Sequence, residues 1–116
     1  MSDHKDSLLR IRHMLDFANT AVRFTKGKNR DDLNANEMLA LATVHLIEML
    51  GEASRNVDLD FQQRYPEVPW EQICGTRNRL AHGYIDVDLD IIWAIVSKDL
   101  PPLIVQLRHI LKNKGV

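Results

Sequence analysis

Apolar side chains recur along this chain at steps of three and four, the spacing of one face of a helix. Between residues 7 and 26, Leu8, Ile11, Leu15, Ala18 and Val22 form such a stripe, with Met14 and Ala21 beside it. Arg10, Arg12, Asp16 and Arg23 take the opposite side. Gly27, in the turn Lys26-Gly27-Lys28-Asn29, stands where such a helix ends. Residues 29–34 read as a polar connection. Asn34 has the side chain of an N-cap, and Glu37 follows three positions on, as in a capping box. The helix predicted from Ala35 to Arg55 is apolar around most of its circumference, so it is expected to be central and to pack on several neighbours or in an oligomer. Gly51 near its end lowers intrinsic helicity but lets another backbone come close.

Asn56 to Pro69 is a connection with a short helix expected around Leu59 to Tyr65, punctuated by Pro66 and Pro69. Pro69-Trp70-Glu71-Gln72 has the form of a helix start, with proline in the first turn and an acid near the positive end. That helix is predicted to run to about Ala81, with Gly83 as its stop. Ile85 to Asp90 alternates apolar and acidic residues and reads as an extended link into a helix capped by Asp88. A last helical stretch covers Leu89 to Asn113, broken or restarted at Pro101-Pro102 with Asp99 as the new N-cap. Leu100, Leu103, Leu107 and Leu111 hold one face, and Lys112 and Lys114 suit the C-terminal dipole. The expected fold is an all-α bundle of four longer helices.

Composition narrows the class. The 116 residues fit one domain, 1–116 with an ordered core of about 7–111. The chain is 45% hydrophobic and 27% charged, as in an ordinary globular protein. A net charge of −1 excludes a uniformly basic nucleic-acid coat but leaves room for a local basic patch. The lone Cys74 cannot form an intramolecular disulfide, and the polar N-terminus has no apolar targeting segment. A cytoplasmic location is expected. The longest apolar run, Ile91 to Val96, is six residues, too short to span a membrane.

Reactive side chains concentrate in one stretch, Arg77-Asn78-Arg79-Leu80-Ala81-His82-Gly83-Tyr84. Arginine keeps its proton and can hold two phosphate oxygens at once. Histidine takes or gives a proton near neutral pH. Together they suffice for cleavage of RNA without a metal: the base removes the ribose 2′-OH proton and the cation stabilises charge on the phosphoryl oxygens. The spacing alone decides little, because nine Arg and five His in 116 residues give about 0.4 Arg-x4-His pairs by chance. A surface arginine pair at a helix end, with a histidine near the dipole, is the bland alternative. Residues five apart on one helix are rotated by about 140°, so Arg77 and His82 do not share a face. Either the helix ends before His82, as Gly83 suggests, or a second copy of the chain completes the site.

These residues resemble the Arg-x4-His-x-Tyr signature of the HepT-like toxins of the HEPN superfamily. Leu46-Ile47-Glu48-Met49-Leu50-Gly51-Glu52-Ala53 is similar to the family's central helix with its Gly-Glu-Ala ending. Val68-Pro69-Trp70-Glu71-Gln72-Ile73-Cys74-Gly75 resembles the Pro-Trp turn that opens the motif helix, and Ile92-Trp93 with Asp99-Leu100-Pro101 resembles the C-terminal pair. The similarity runs from about Ser7 to Leu111. It implies an all-α HEPN fold and a homodimer whose motifs face each other across a cleft. It also implies a metal-independent endoribonuclease toxin that needs no cofactor, with RNA, in particular tRNA, as substrate. The implied partner is an antitoxin of the minimal nucleotidyltransferase (MntA-like) type, which transfers AMP from ATP onto Tyr84. Carried over, Arg77 binds and polarises the phosphate, His82 acts as acid or base, Asn78 orients the site and Arg79 supports it. A second reading of a different class is a non-catalytic, substrate-binding or docking subunit of a minimal nucleotidyltransferase. The full Arg, His and Tyr set favours the toxin.

Other candidates reduce to structural roles. Asp86, Asp88 and Asp90 mimic the start of a calcium loop, but Ile91 and Ser97 stand where glycine and the bidentate glutamate are needed. His45, Glu48 and Glu52 are expected to form a polar seam in the core or at a dimer interface, with Glu52 a candidate partner for an arginine near the motif. Cys74 is expected to be a buried inert thiol, and Trp70 and Trp93 core anchors.

Overall fold

The computed structural model describes residues 4–76 and 87–113, and among them it contains helices and turns without a strand. Helix α1, His4–Thr25, buries Ser7, Ile11, Met14, Ala18, Ala21 and Thr25. This line keeps Ile11 and Ala18 of the predicted stripe and takes in Met14 and Ala21 beside it, while Leu8, Leu15 and Val22 sit half-buried on its flank. The helix closes as expected: Gly27 takes a positive φ of 75°, and the Lys28 N–H donates to the Thr25 carbonyl at 3.0 Å. Glycine reaches that left-handed conformation without a Cβ clash.

The predicted polar connection holds a further helical turn, α2, Asp32–Ala35. Asn29 and Asp32 open it reciprocally: the Asn29 N–H donates to Asp32 Oδ2 at 2.7 Å and the Asp32 N–H to Asn29 Oδ1 at 3.2 Å. This turn corrects the expected cap. Asn34 lies inside α2, where its Oδ1 accepts from Arg30 at 2.6 Å. Asn36 is extended, as an N-cap must be, and its Oδ1 accepts from the Leu39 N–H at 3.1 Å. Glu37 follows the cap directly, so the predicted capping box does not form.

Helix α3, Glu37–Arg55, is central as predicted, packing on α1 and on both helices that flank the motif segment. Its buried side carries Thr43, Val44, Ile47, Leu50, Gly51, Ala53 and Ser54. Helix α4, Leu59–Arg64, matches the expected short helix and buries Phe61 completely. Ser7 of α1 accepts the Asp58 N–H in front of it at 3.2 Å, a polar tie across 51 residues. Helix α5, Trp70–Cys74, starts after Pro69, and the buried indole of Trp70 donates to the Tyr65 carbonyl at 2.9 Å.

The C-terminal third begins with α6, Leu89–Ala94, capped by Asp88 as predicted, whose carboxylate accepts the Asp90 N–H at 2.8 Å. The expected break at the prolines is absent. A π-helical turn, Ile95–Asp99, leads straight into α7, Leu100–Asn113. The Leu100 N–H reaches back five residues to the Ile95 carbonyl. The widened turn relieves the clash of a proline ring with the carbonyl four residues behind it, so the helix passes through Pro101 and Pro102, which have no N–H to donate. Asp99 therefore belongs to the π turn and caps nothing, contrary to expectation. Leu100, Leu103, Leu107 and Ile110 pack inward, and α7 lies along α1. No helix among the described residues is long and apolar enough to cross a membrane.

Candidate active site

The motif residues Arg77, Asn78, Arg79, His82 and Tyr84 lie outside the described residues, as do Gly83 and Asp86. The structure fixes the chain on either side of them, and both attachments are to α3.

Upstream, α5 carries the chain to Thr76, the residue before Arg77. The predicted helix from Pro69 closes at Cys74, with the Gly75 N–H donating to the Glu71 carbonyl at 2.9 Å. The remainder of that prediction, to Ala81, lies outside the described residues. Thr76 is buried, and its hydroxyl donates to the Gln72 carbonyl at 3.2 Å. Gly51 explains how α5 sits so close to α3. A Cβ there would stand 3.2 Å from the Ile73 carbonyl oxygen and 3.9 Å from Thr76 Cβ. The close approach expected from Gly51 is thus realised, and the approaching backbone is the one that leads into the motif. Ser54, one helical turn on, donates to the Gly51 carbonyl at 2.7 Å and lies 3.3 Å from Cys74 Sγ. Cys74 is half-buried rather than buried, because it sits at the edge of this helix contact.

Downstream, the chain is described again from Val87, which packs against the core. Asp88 caps α6, and Asp90 in its first turn receives Arg30 Nε at 2.6 Å. Arg30 spans Asp90 and Asn34 with two different nitrogens, so it links the turn before α2 to the start of α6. Sequence reasoning missed this clasp. Its only sequence signal is a cation and an acid 60 positions apart. An open groove of about 440 Å³ lies at this end, between Leu41 and Glu37 of α3 and Val87 and Leu89 of the returning chain.

The outward side of α3 continues from that groove. Met38 is 79% exposed and Leu41 39%. His45 and Glu52 are exposed and Glu48 is half-buried, and with Met49 they line a shallow depression of about 270 Å³. The polar seam is therefore not in the core: it lies on the surface of α3, because the buried side of that helix is already filled. Trp70 is the expected core anchor, whereas Trp93 is half-buried at the core's edge.

The pattern of the family described as Ribonuclease HepT-like matches residues 14–110, from the middle of α1 to the last turns of α7. A candidate RNase of Methanocaldococcus jannaschii is 37% identical over 90 residues, which cover 78% of this chain and 83% of that relative. A candidate RNase of Caldanaerobacter subterraneus subsp. tengcongensis is 32% identical over 104 residues, 90% of this chain and 93% of its own. A Thermococcus cleftensis protein named as a candidate ribonuclease HepT is 32% identical over 100 residues, 86% of this chain and 88% of its own. No solved structure matches. The family match takes in both attachments on α3 and the whole Arg77–Tyr84 stretch between them, and the chain belongs to the Ribonuclease HepT-like family.

Proposed function

We propose that this single-domain protein is a metal-independent endoribonuclease toxin of a type VII-like toxin–antitoxin system, acting in the cytoplasm on RNA, with tRNA as the target class. The observation that carries this reading is a ribonuclease-family match that encloses the Arg-x4-His-x-Tyr stretch. His82 takes the proton from a ribose 2′-OH, and the 2′-oxygen attacks the adjacent phosphorus. Arg77 neutralises the charge on the phosphoryl oxygens, with Asn78 and Arg79 orienting and supporting it. The His82 imidazolium gives that proton to the leaving 5′-oxygen as its bond to phosphorus breaks, so the products end in a 2′,3′-cyclic phosphate and a 5′-hydroxyl and the imidazole is neutral again. None of these steps requires more than an imidazole and a guanidinium.

The active form is a homodimer in which Arg77 and His82 come from motifs facing across the cleft. Two features support this: the rotation between positions five apart on a helix, and the apolar side chains Met38 and Leu41 left on the outer side of α3. Neutralisation is by AMPylation of Tyr84 by a minimal nucleotidyltransferase antitoxin. A bulky anion two residues from His82 occupies the phosphate site and repels RNA.

The test is incubation of purified protein with total RNA in EDTA, beside Arg77→Ala and His82→Ala. Cleavage by the parent, with a loss of about 10²–10⁴ in rate in each variant and cyclic-phosphate ends on the fragments, is the expected result. A parent that is inactive while its intact mass shows an unmodified chain overturns the nuclease reading in favour of a docking subunit.

A further inference from the structure

The turn joining α1 to α2 carries a charge pattern that the motif does not use. Between Asp16 and Asp31 the chain has no acidic residue, yet it places Arg23, Lys26, Lys28 and Arg30 within eight positions. The whole chain carries a net charge of −1, so this concentration is local. Lys26 and Lys28 are exposed, and neither pairs with an acid among the described residues. Cations at the end of α1 suit its dipole. That accounts for Arg23 and Lys26 but not for Lys28, which lies past the helix end, nor for the aromatic ring between them.

That ring is Phe24, 41% exposed, with the Arg23 guanidinium 5.6 Å from its centroid. It is the one aromatic among the large apolar side chains left exposed in the described residues. A solvent-facing ring beside a guanidinium, with two exposed lysines two and four positions further along the chain, is the chemistry that holds a single nucleic-acid strand: cations on phosphates, a π-face under a base. Arg30 has a different part. Two of its nitrogens are engaged by Asp90 and Asn34, so it holds the basic turn against the first turn of α6, the helix that the chain enters after Tyr84. The turn is thereby tied to the downstream end of the motif segment.

We infer that the Arg23–Arg30 turn is a docking surface for single-stranded RNA, with Arg23, Lys26 and Lys28 on backbone phosphates and Phe24 stacking on a base. The inference rests on the nuclease reading above and adds a second contact region for the same substrate.

Binding is measured by fluorescence anisotropy with a labelled single-stranded RNA of about 12 nucleotides, within the length range of such grooves, on full-length protein carrying His82→Ala to prevent cleavage. Lys26→Gln with Lys28→Gln is expected to weaken binding about tenfold near 0.1 M salt. The same pair flattens the log–log salt slope by about 1.4, or about 0.7 for each phosphate that is no longer neutralised. Lys28→Gln alone, beyond the helix end, gives about half that change in slope. Phe24→Ala weakens binding by about five- to a hundredfold and leaves the slope unchanged, since stacking releases no counterions. With His82 intact, the lysine pair raises KM at unchanged kcat, the mark of uniform binding. Affinity and slope equal to those of the parent overturn the docking surface. If the parent cleaves RNA and the variants match it, the docking surface alone falls; if a parent whose intact mass shows an unmodified chain neither binds nor cleaves RNA, the nuclease reading falls with it.

Discussion

The two ends of the motif segment are held by opposite physics. Upstream, the contact is backbone on backbone, with the Ile73 carbonyl over Gly51 and Thr76 only 6% exposed. Downstream, it is an ion pair whose side chains are 31% and 79% exposed, backed by the Asp88 cap. Close-packed contacts are set by volume and respond to a single added carbon. Exposed ion pairs contribute about 0.2–1 kcal/mol and are screened by salt. The residue before Arg77 is thus placed by shape, while the chain returning at Val87 is steered by polar groups that can exchange with water.

Substitution at Gly51 tests the upstream half most severely. A single Cβ at 3.2 Å from the Ile73 oxygen requires a shift of a few tenths of an ångström. The gain of up to about 1 kcal/mol in helix propensity offsets it, so Gly51→Ala is expected to change the melting temperature little. Gly51→Val adds branched carbons against a carbonyl that belongs to a helix and cannot rotate away. It should cost about 1–3 kcal/mol and lower the melting temperature by about 5–15 °C in a calorimetric scan. Cleavage measured below the new melting point should fall more than the stability does, because Thr76 and the chain after it move together. A Gly51→Val protein with parental stability and rate would mean that α5 is not seated by this contact.

The middle-sized effect lies at the start of α3, where sequence and structure part. Asn34 is the expected cap, and Asn36, two positions on, is the observed one. The choice between them is made by α2, a single turn that hydrophobic periodicity cannot reveal because only Leu33 in it is buried. Asn36→Ala should cost about 1 kcal/mol of stability in urea melts, and Asn34→Ala clearly less. Equal losses would restore the sequence-based cap. The same kind of blindness explains the rest. The buried line of α1 was legible at Ile11, Met14, Ala18 and Ala21 but not at its ends, where Ser7 and Thr25, polar by type, are buried with hydrogen bonds to Asp58 and Ala21. The prolines marked a disturbance whose form, a π turn rather than a break, depends on a bond from Leu100 to Ile95. The all-α fold, the central α3 and the Gly51 contact were readable because they follow from helix period and from the absence of a side chain. At the site, the motif was readable as residue types. The Arg30–Asp90 clasp was not, since nothing local pairs positions 60 apart.

That clasp gives the smallest and most specific test. Arg30→Ala and Asp90→Ala should each lower stability by less than about 1 kcal/mol, in keeping with an exposed pair. Their double variant should lose less than the sum, with a coupling of about 0.2–1 kcal/mol that shrinks as salt is raised. Arg30→Ala also frees Asn34, so it should cost slightly more than Asp90→Ala. Reversing the pair, with Arg30→Asp and Asp90→Arg together, restores the attraction across the gap and should recover part of the coupling. Strict additivity at low salt would show that the returning chain is held by the Asp88 cap and the packing of Val87 alone. The downstream attachment would then depend on shape as much as the upstream one, and the contrast between the two ends would disappear.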